Sequence, residues 1–159
     1  MLFRSMLGFN YRMSEIHAAI GICQLDKVPA FLEARQANYA ALQSGLAELP
    51  ELKLFESTRG DFQSSYYCMS ALLSERLRSK RFDVVDSLRR RGVGTSVYYP
   101  RAVPHMTYYR ERYGHGEDSY PVARMISESS IALPVGPHVT VEDMNYIVDA
   151  MKTAIHEVR

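Results

Sequence analysis

Tryptophan is absent from this sequence, and cysteine occurs only at Cys23 and Cys68. The two thiols lie far apart, each within an apolar run. Free, buried side chains are therefore expected rather than a disulfide framework or a metal pair. No apolar run is long enough to span a bilayer, and Met1-Leu2-Phe3-Arg4 gives way at once to polar residues, unlike a secretion signal. A soluble cytoplasmic protein with no membrane partner is the expectation. Charge of one sign is lacking too. With 19 basic and 18 acidic residues the net charge is +1, which supplies no field to draw nucleic acid or an anionic surface.

Several chemical signatures are also missing. No glycine-rich phosphate loop occurs: Gly92-Val93-Gly94 lies between a helical and a strand-like run, the reverse of the dinucleotide-binding order. Histidines are nowhere paired at metal-binding spacing. His115, Glu117 and Asp118 cluster around Gly114 and Gly116, where a flexible polar loop accounts for them, and no metal is expected. No spacing of serine, histidine and aspartate supports a triad, so no catalytic residue is assigned. The basic residues between Arg76 and Arg91 form a local patch that acidic residues elsewhere offset, as on a solvated helix face.

What is present describes a globular chain. Hydrophobic residues make up 47% and charged residues 23% of 159, enough for one domain with a buried core. Ser14 is placed to cap a helix, its hydroxyl accepting from an amide one turn in. Apolar positions recur at helical spacing from Ile16 through Ala19, Ile20 and Cys23, and resume after Pro29 at Leu32, Tyr39, Leu42, Leu46 and Leu49. Proline breaks an interior helical hydrogen bond but is tolerated in a first turn. The run is either one kinked helix or two helices meeting near Lys27, and Pro50 ends it.

Leu52 to Phe55 reads as a short strand, Gly60-Asp61 as a turn, and Ser65 to Leu73, rich in tyrosine and apolar residues, as a buried strand. An amphipathic helix follows over Phe82 to Arg91, with Val84, Val85 and Leu88 on one side and Gly92 as its stop. Gly94 to Tyr99 reads as the next strand, and an irregular tyrosine-rich region then runs to Gly116. Tyr120 to Glu128 is expected to be helical and Ser130 to Val135 a strand. Thr140 caps a last helix with Glu142 and Asp143 in its first turn. The pattern predicts an α+β sandwich in which three runs, near 65–73, 94–99 and 130–134, share one sheet with the last helix across it.

Two segments are placed to meet a ligand. In Gly8-Phe9-Asn10-Tyr11-Arg12-Met13-Ser14-Glu15, an asparagine and an arginine flanked by aromatics feed a helix. The local alternative is that Asn10 turns the chain and Arg12 pairs with Glu15. In Tyr98-Tyr99-Pro100-Arg101-Ala102-Val103-Pro104-His105, two prolines fix the backbone directly after a strand-like run. Strand-end loops commonly carry functional groups on a rigid base, and this one presents hydroxyls, a guanidinium and an imidazole. Ordinary packing of a proline-rich turn accounts for it equally.

Three ordered blocks resemble the DegT/StrS family of pyridoxal-phosphate-dependent nucleotide-sugar aminotransferases. GFNYRMSEIHAAIGICQLDKV is similar to the stretch where that family's large domain hands over to a long connecting helix. RRRGVGTSVYYPRAVPH is similar to its helix–strand–loop ending in proline and histidine. SYPVARMISESSIALPVGPHVTVEDMNYIVDAM is similar to its closing segment, with Leu133-Pro134 and the terminal helix. The resemblance implies that residues 1–13 are a remnant of the large cofactor domain and 14–50 the connecting helix. Residues 51–159 would be the small α+β C-terminal domain of a fold-type I transferase. It further implies pyridoxal 5'-phosphate as cofactor, held by a lysine, and transfer of an amino group from a donor such as glutamate to a keto sugar on a nucleotide, within a homodimer. Asn10 would hydrogen-bond the cofactor phosphate across the dimer interface with Arg12 beside it. His105 would face the sugar-nucleotide pocket, with Tyr99 near it.

The same resemblance places the cofactor lysine, the acidic partner of the pyridine nitrogen and most phosphate ligands ahead of position 1. The lysines present are Lys27, Lys53, Lys80 and Lys152. None sits in the family's lysine motif, so no transamination by this chain alone is expected. Related sugar dehydratases carry histidine in place of that lysine. A non-catalytic dimerisation or regulatory remnant is the third reading, and exposed apolar area over 16–49 would favour it.

Overall fold

The computed structural model describes residues 12–159. The Ser14 hydroxyl accepts the amide of His17 and opens α1, Glu15–Leu25. The helix stops at Asp26, and α2, Val28–Leu46, starts with Pro29 in its first turn, where a missing amide costs nothing. Of the two arrangements open from sequence, the chain takes two helices meeting at Lys27. No residue of α1 is buried. Its Ile16, Ile20, Ile22 and Leu25 are each more than half exposed, and Cys23, expected inside, is exposed with them.

After β1 (Leu52–Leu54), a small hairpin of β2 (Thr58–Arg59) and β3 (Phe62–Gln63) turns at Gly60, whose φ of 57° lies in the left-handed region glycine tolerates. The predicted strand from Ser65 begins pairing only at β4, Met69–Leu73. Tyr66 takes φ 50°, which breaks the extended backbone before that point. A short α3 (Glu75–Arg78) and the amphipathic α4 (Arg81–Arg90) follow. Next come α5 (Thr107–Tyr113), α6 (Pro121–Ser129), β5 (Ser130–Leu133) and α7 (Val141–Val158).

The sheet has the order β1-β4-β5 with both pairings antiparallel. Helix α7 packs against α2 and α4. Its Met144, Ile147, Met151 and Ile155 join Leu42 and Leu46, Met69 and Leu73, and Ile131 and Leu133 in one core. Ser130 and Ala132, alternate in β5, are buried too, as in a strand covered on both faces. Thr140 fixes the start of α7 through a reciprocal capping box with Asp143. Buried Asn38 donates from Nδ2 to the carbonyls of Gly136 (3.1 Å) and Val139 (2.9 Å), tying α2 to the turn ahead of α7.

Two further expectations need correction. Gly94 to Tyr99 is not a full strand: Ser96 alone bridges to Ala132, through a reciprocal pair of backbone hydrogen bonds of 3.1 and 2.8 Å. With exposed Gly94 before the bridge and Pro100 after it, no run of paired amides develops. The tyrosine-rich stretch is not irregular throughout either. It holds α5, stopped by Gly114 at φ 68°. Tyrosine density reads as strand, and α5 buries no residue, so no helical periodicity marks it.

Candidate functional site

The bridge at Ser96 delivers the chain to the sheet edge, and the Tyr98–His105 segment leaves from there. The Ser130 hydroxyl reaches the Tyr98 carbonyl at 3.4 Å. Tyr98 and Tyr99 set their rings 5.7 Å apart, with Tyr99 67% exposed. Pro104 initiates a short 3-10 turn over Val103–His105. Facing this segment is α6. Both contribute to an apolar depression of about 360 Å³, lined by Tyr98, Tyr99, Arg101 and Val103 of the segment and by Ala123, Ile126 and Ser127 of α6. Two phenols and a guanidinium on an apolar floor suit a ligand with a flat or apolar part and an anionic one.

The far end of α6 is fixed from beneath. Arg81, 5% exposed, donates from its guanidinium to the Ser127 carbonyl and stacks 5.0 Å from the Phe82 ring. Burial pushes its pKa below the ordinary value while the charge of Glu128 acts the other way; a guanidinium stays charged regardless. Glu128 is held below the usual carboxylate range, first by the hydrogen bond from Arg124 at 2.8 Å.

Of the residues singled out from sequence, Tyr99 and Arg101 line this depression. His105 does not open onto solvent: it is 3% exposed, and its Nε2 lies 2.6 Å from the Ser119 carbonyl oxygen. Arg12 is exposed, two residues ahead of the Ser14 cap. Asn10 lies outside the described residues. Arg81, expected on a solvated basic face, is buried instead because its guanidinium is drawn to the Ser127 carbonyl, and no local pattern marks α6 as a wall of the depression. Only Pro121, at the first position of α6, hinted at a fixed helix start there.

The model of the DegT/DnrJ/EryC1/StrS aminotransferase family matches residues 1–152, and the chain belongs to that family. Its sequence is 28% identical over 153 residues to uncharacterized protein MJ1066 of Methanocaldococcus jannaschii, covering 96% of this chain and 39% of that protein. DesV of S. venezuelae superposes with a TM-score of 0.82 at 26% identity, over 94% of this chain and 39% of its own. The putative sugar aminotransferase Spr1654 of Streptococcus pneumoniae, solved in a PMP form, gives 0.84 at 25%, over 93% and 36%. The chain thus spans about two fifths of the relatives it matches.

Family members depend on pyridoxal 5'-phosphate. The described residues do not by themselves form a cradle for it. Arg12 stands exposed ahead of an exposed helix, and Lys27 and Lys53 are exposed. Lys80 donates to the Val158 carbonyl, and Lys152 pairs with Glu48.

Proposed function

We propose that this chain is the C-terminal portion of an aminotransferase that passes an amino group from an amino-acid donor to a keto sugar carried on a nucleotide. The family match over residues 1–152 carries the reading, and the fold shared with DesV and Spr1654 supports it. Residues 1–13 then close the large cofactor domain, 14–50 connect it, and 51–159 form the small domain of a cytoplasmic homodimer. Asn10 and Arg12 serve the cofactor phosphate. Tyr99, with Arg101 lining the same depression, serves the sugar nucleotide, and His105 acts on that side. The exposed apolar residues of α1 are the surface on which the remainder of the enzyme packs, since so large an uncovered stretch is unusual on a finished surface. The lysine that holds the cofactor belongs to that remainder.

The test is to join the chain in frame to the coding sequence upstream of Met1 and purify the product with pyridoxal phosphate. Glutamate should convert the cofactor to its amino form, and a nucleotide-linked keto sugar should return it. A product that retains no cofactor, or that no such sugar discharges, would overturn the reading. Loss of water from the sugar in place of amine gain would assign a dehydratase instead.

A further inference from the structure

Resting on that reading, we infer that His105 is a positioning residue: its Nε2–H clasps the Ser119 carbonyl and holds α6 opposite the Tyr98–Pro104 segment, so that it shapes the sugar-nucleotide side without touching the ligand. A carbonyl oxygen can only accept, so Nε2 carries the proton in this contact and is already spent on the protein. The imidazole is 3% exposed, whereas Tyr99 on the same segment is 67% exposed.

The position of the bond explains what it does. Between its two ends the chain makes an excursion through α5, and none of residues 106–118 is buried. That excursion therefore has no core of its own to anchor it. Its other polar ties are surface ones. Arg110 pairs with Glu117 at 2.7 Å with both side chains around half exposed, and Arg124 reaches the Glu117 carbonyl at 3.4 Å. Exposed contacts of that kind hold little. Arg81 secures the far end of α6 at Ser127. His105 secures the near end, two residues before Pro121, and so ties the chain directly after Pro104, which lines the depression, to the chain directly ahead of α6, which lines it too.

Side-chain isosteres separate a clasp from a ligand contact. Glutamine places an amide N–H where histidine has Nε2, and asparagine places its amide where histidine has Nδ1. Hydrogen exchange across residues 106–127 should be measured on the whole chain for wild type, His105→Gln, His105→Asn and His105→Leu. The Gln variant should stay within about twofold of wild type. The Asn and Leu variants should exchange about tenfold faster or more in that segment, the effect of losing one buried hydrogen bond, while β4, β5 and α7 stay protected.

In the upstream-joined enzyme, the Asn and Leu variants should raise KM for the nucleotide-linked keto sugar with kcat and cofactor retention little changed, and Gln should restore KM. Protection kept by Asn and lost by Gln would overturn the clasp, as would a Gln variant that loosens as far as Leu. An exchange pattern as described, in an enzyme that turns over no nucleotide-linked keto sugar, would remove the proposed function and leave the clasp standing.

Discussion

Gly45 of α2 passes so close to Val148 of α7 that a Cβ at position 45 would lie 2.5 Å from Val148 Cγ2. Glycine inside a helix ordinarily costs about 1 kcal/mol relative to alanine, so Gly45→Ala on an open helix would stabilise. Here the neighbour is a short, β-branched and buried side chain with nowhere to swing. Gly45→Ala should therefore destabilise, with overpacking of about 1–3 kcal/mol outweighing the propensity gain. Urea unfolding checks the sign. Adding Val148→Ala should recover part of the loss, because the two residues are in contact and their effects do not add.

Asn38 serves two carbonyls with one amide group. Asn38→Leu keeps comparable volume and leaves the carbonyls of Gly136 and Val139 without that donor, at a cost of about 1–3 kcal/mol. Asn38→Asp should be at least as damaging near neutral pH, since an ionised carboxylate only accepts and would face two carbonyl oxygens. Thermal unfolding of both variants checks the order. An Asp variant as stable as wild type would show that the donor role is wrong.

Three solvent-accessible carboxyl groups are held below their ordinary values and should add a modest, solvent-screened share to the acid limb of stability. Asp143 is held below its ordinary value of 3.8, first by the Thr140 amide and then by the Thr140 hydroxyl. Glu157 is held below 4.5, first by the Ser87 hydroxyl and then by Arg91. Glu128 is held below 4.5, first by the Arg124 hydrogen bond. A folded-state pKa below the unfolded one favours the ionised native form. The resulting stability is present above the unfolded value and is lost as pH falls through the folded one. The urea midpoint should hold steady down to about pH 5 and drop below the ordinary carboxylate range. Asp143→Asn should make that drop shallower.

The four lysines make a direct check on the assignment of the cofactor-bearing residue to the rest of the enzyme. With Lys80 bonded to the Val158 carbonyl and Lys152 beside Glu48, and on the proposal that the cofactor lysine lies in the rest of the enzyme, pyridoxal phosphate mixed with the chain and trapped by borohydride should give no stoichiometric adduct at any one lysine. Peptide mapping reads the result. A single fully labelled lysine would place an active centre within these residues and contradict the proposal.

What the sequence determined by itself were the features that depend on near neighbours along the chain. Thr140 and Asp143 are three residues apart and announce the start of α7. Ser14 does the same for α1, and Gly92 stops α4 with φ 75°, because capping and left-handed turns are decided within one helical turn. The apolar run of β5 and the helical spacing along α2 were legible for the same reason. Tertiary structure alone decided the rest. It limited the Gly94–Tyr99 run to one bridge with Ala132, packed Gly45 against Val148, and set Asn38 beneath Val139. It also buried His105 against Ser119. In each case the deciding partner is at least 14 residues away. Which face of a side chain is dry, and which carbonyl it meets, depends on how the elements come together and leaves no local periodicity to read.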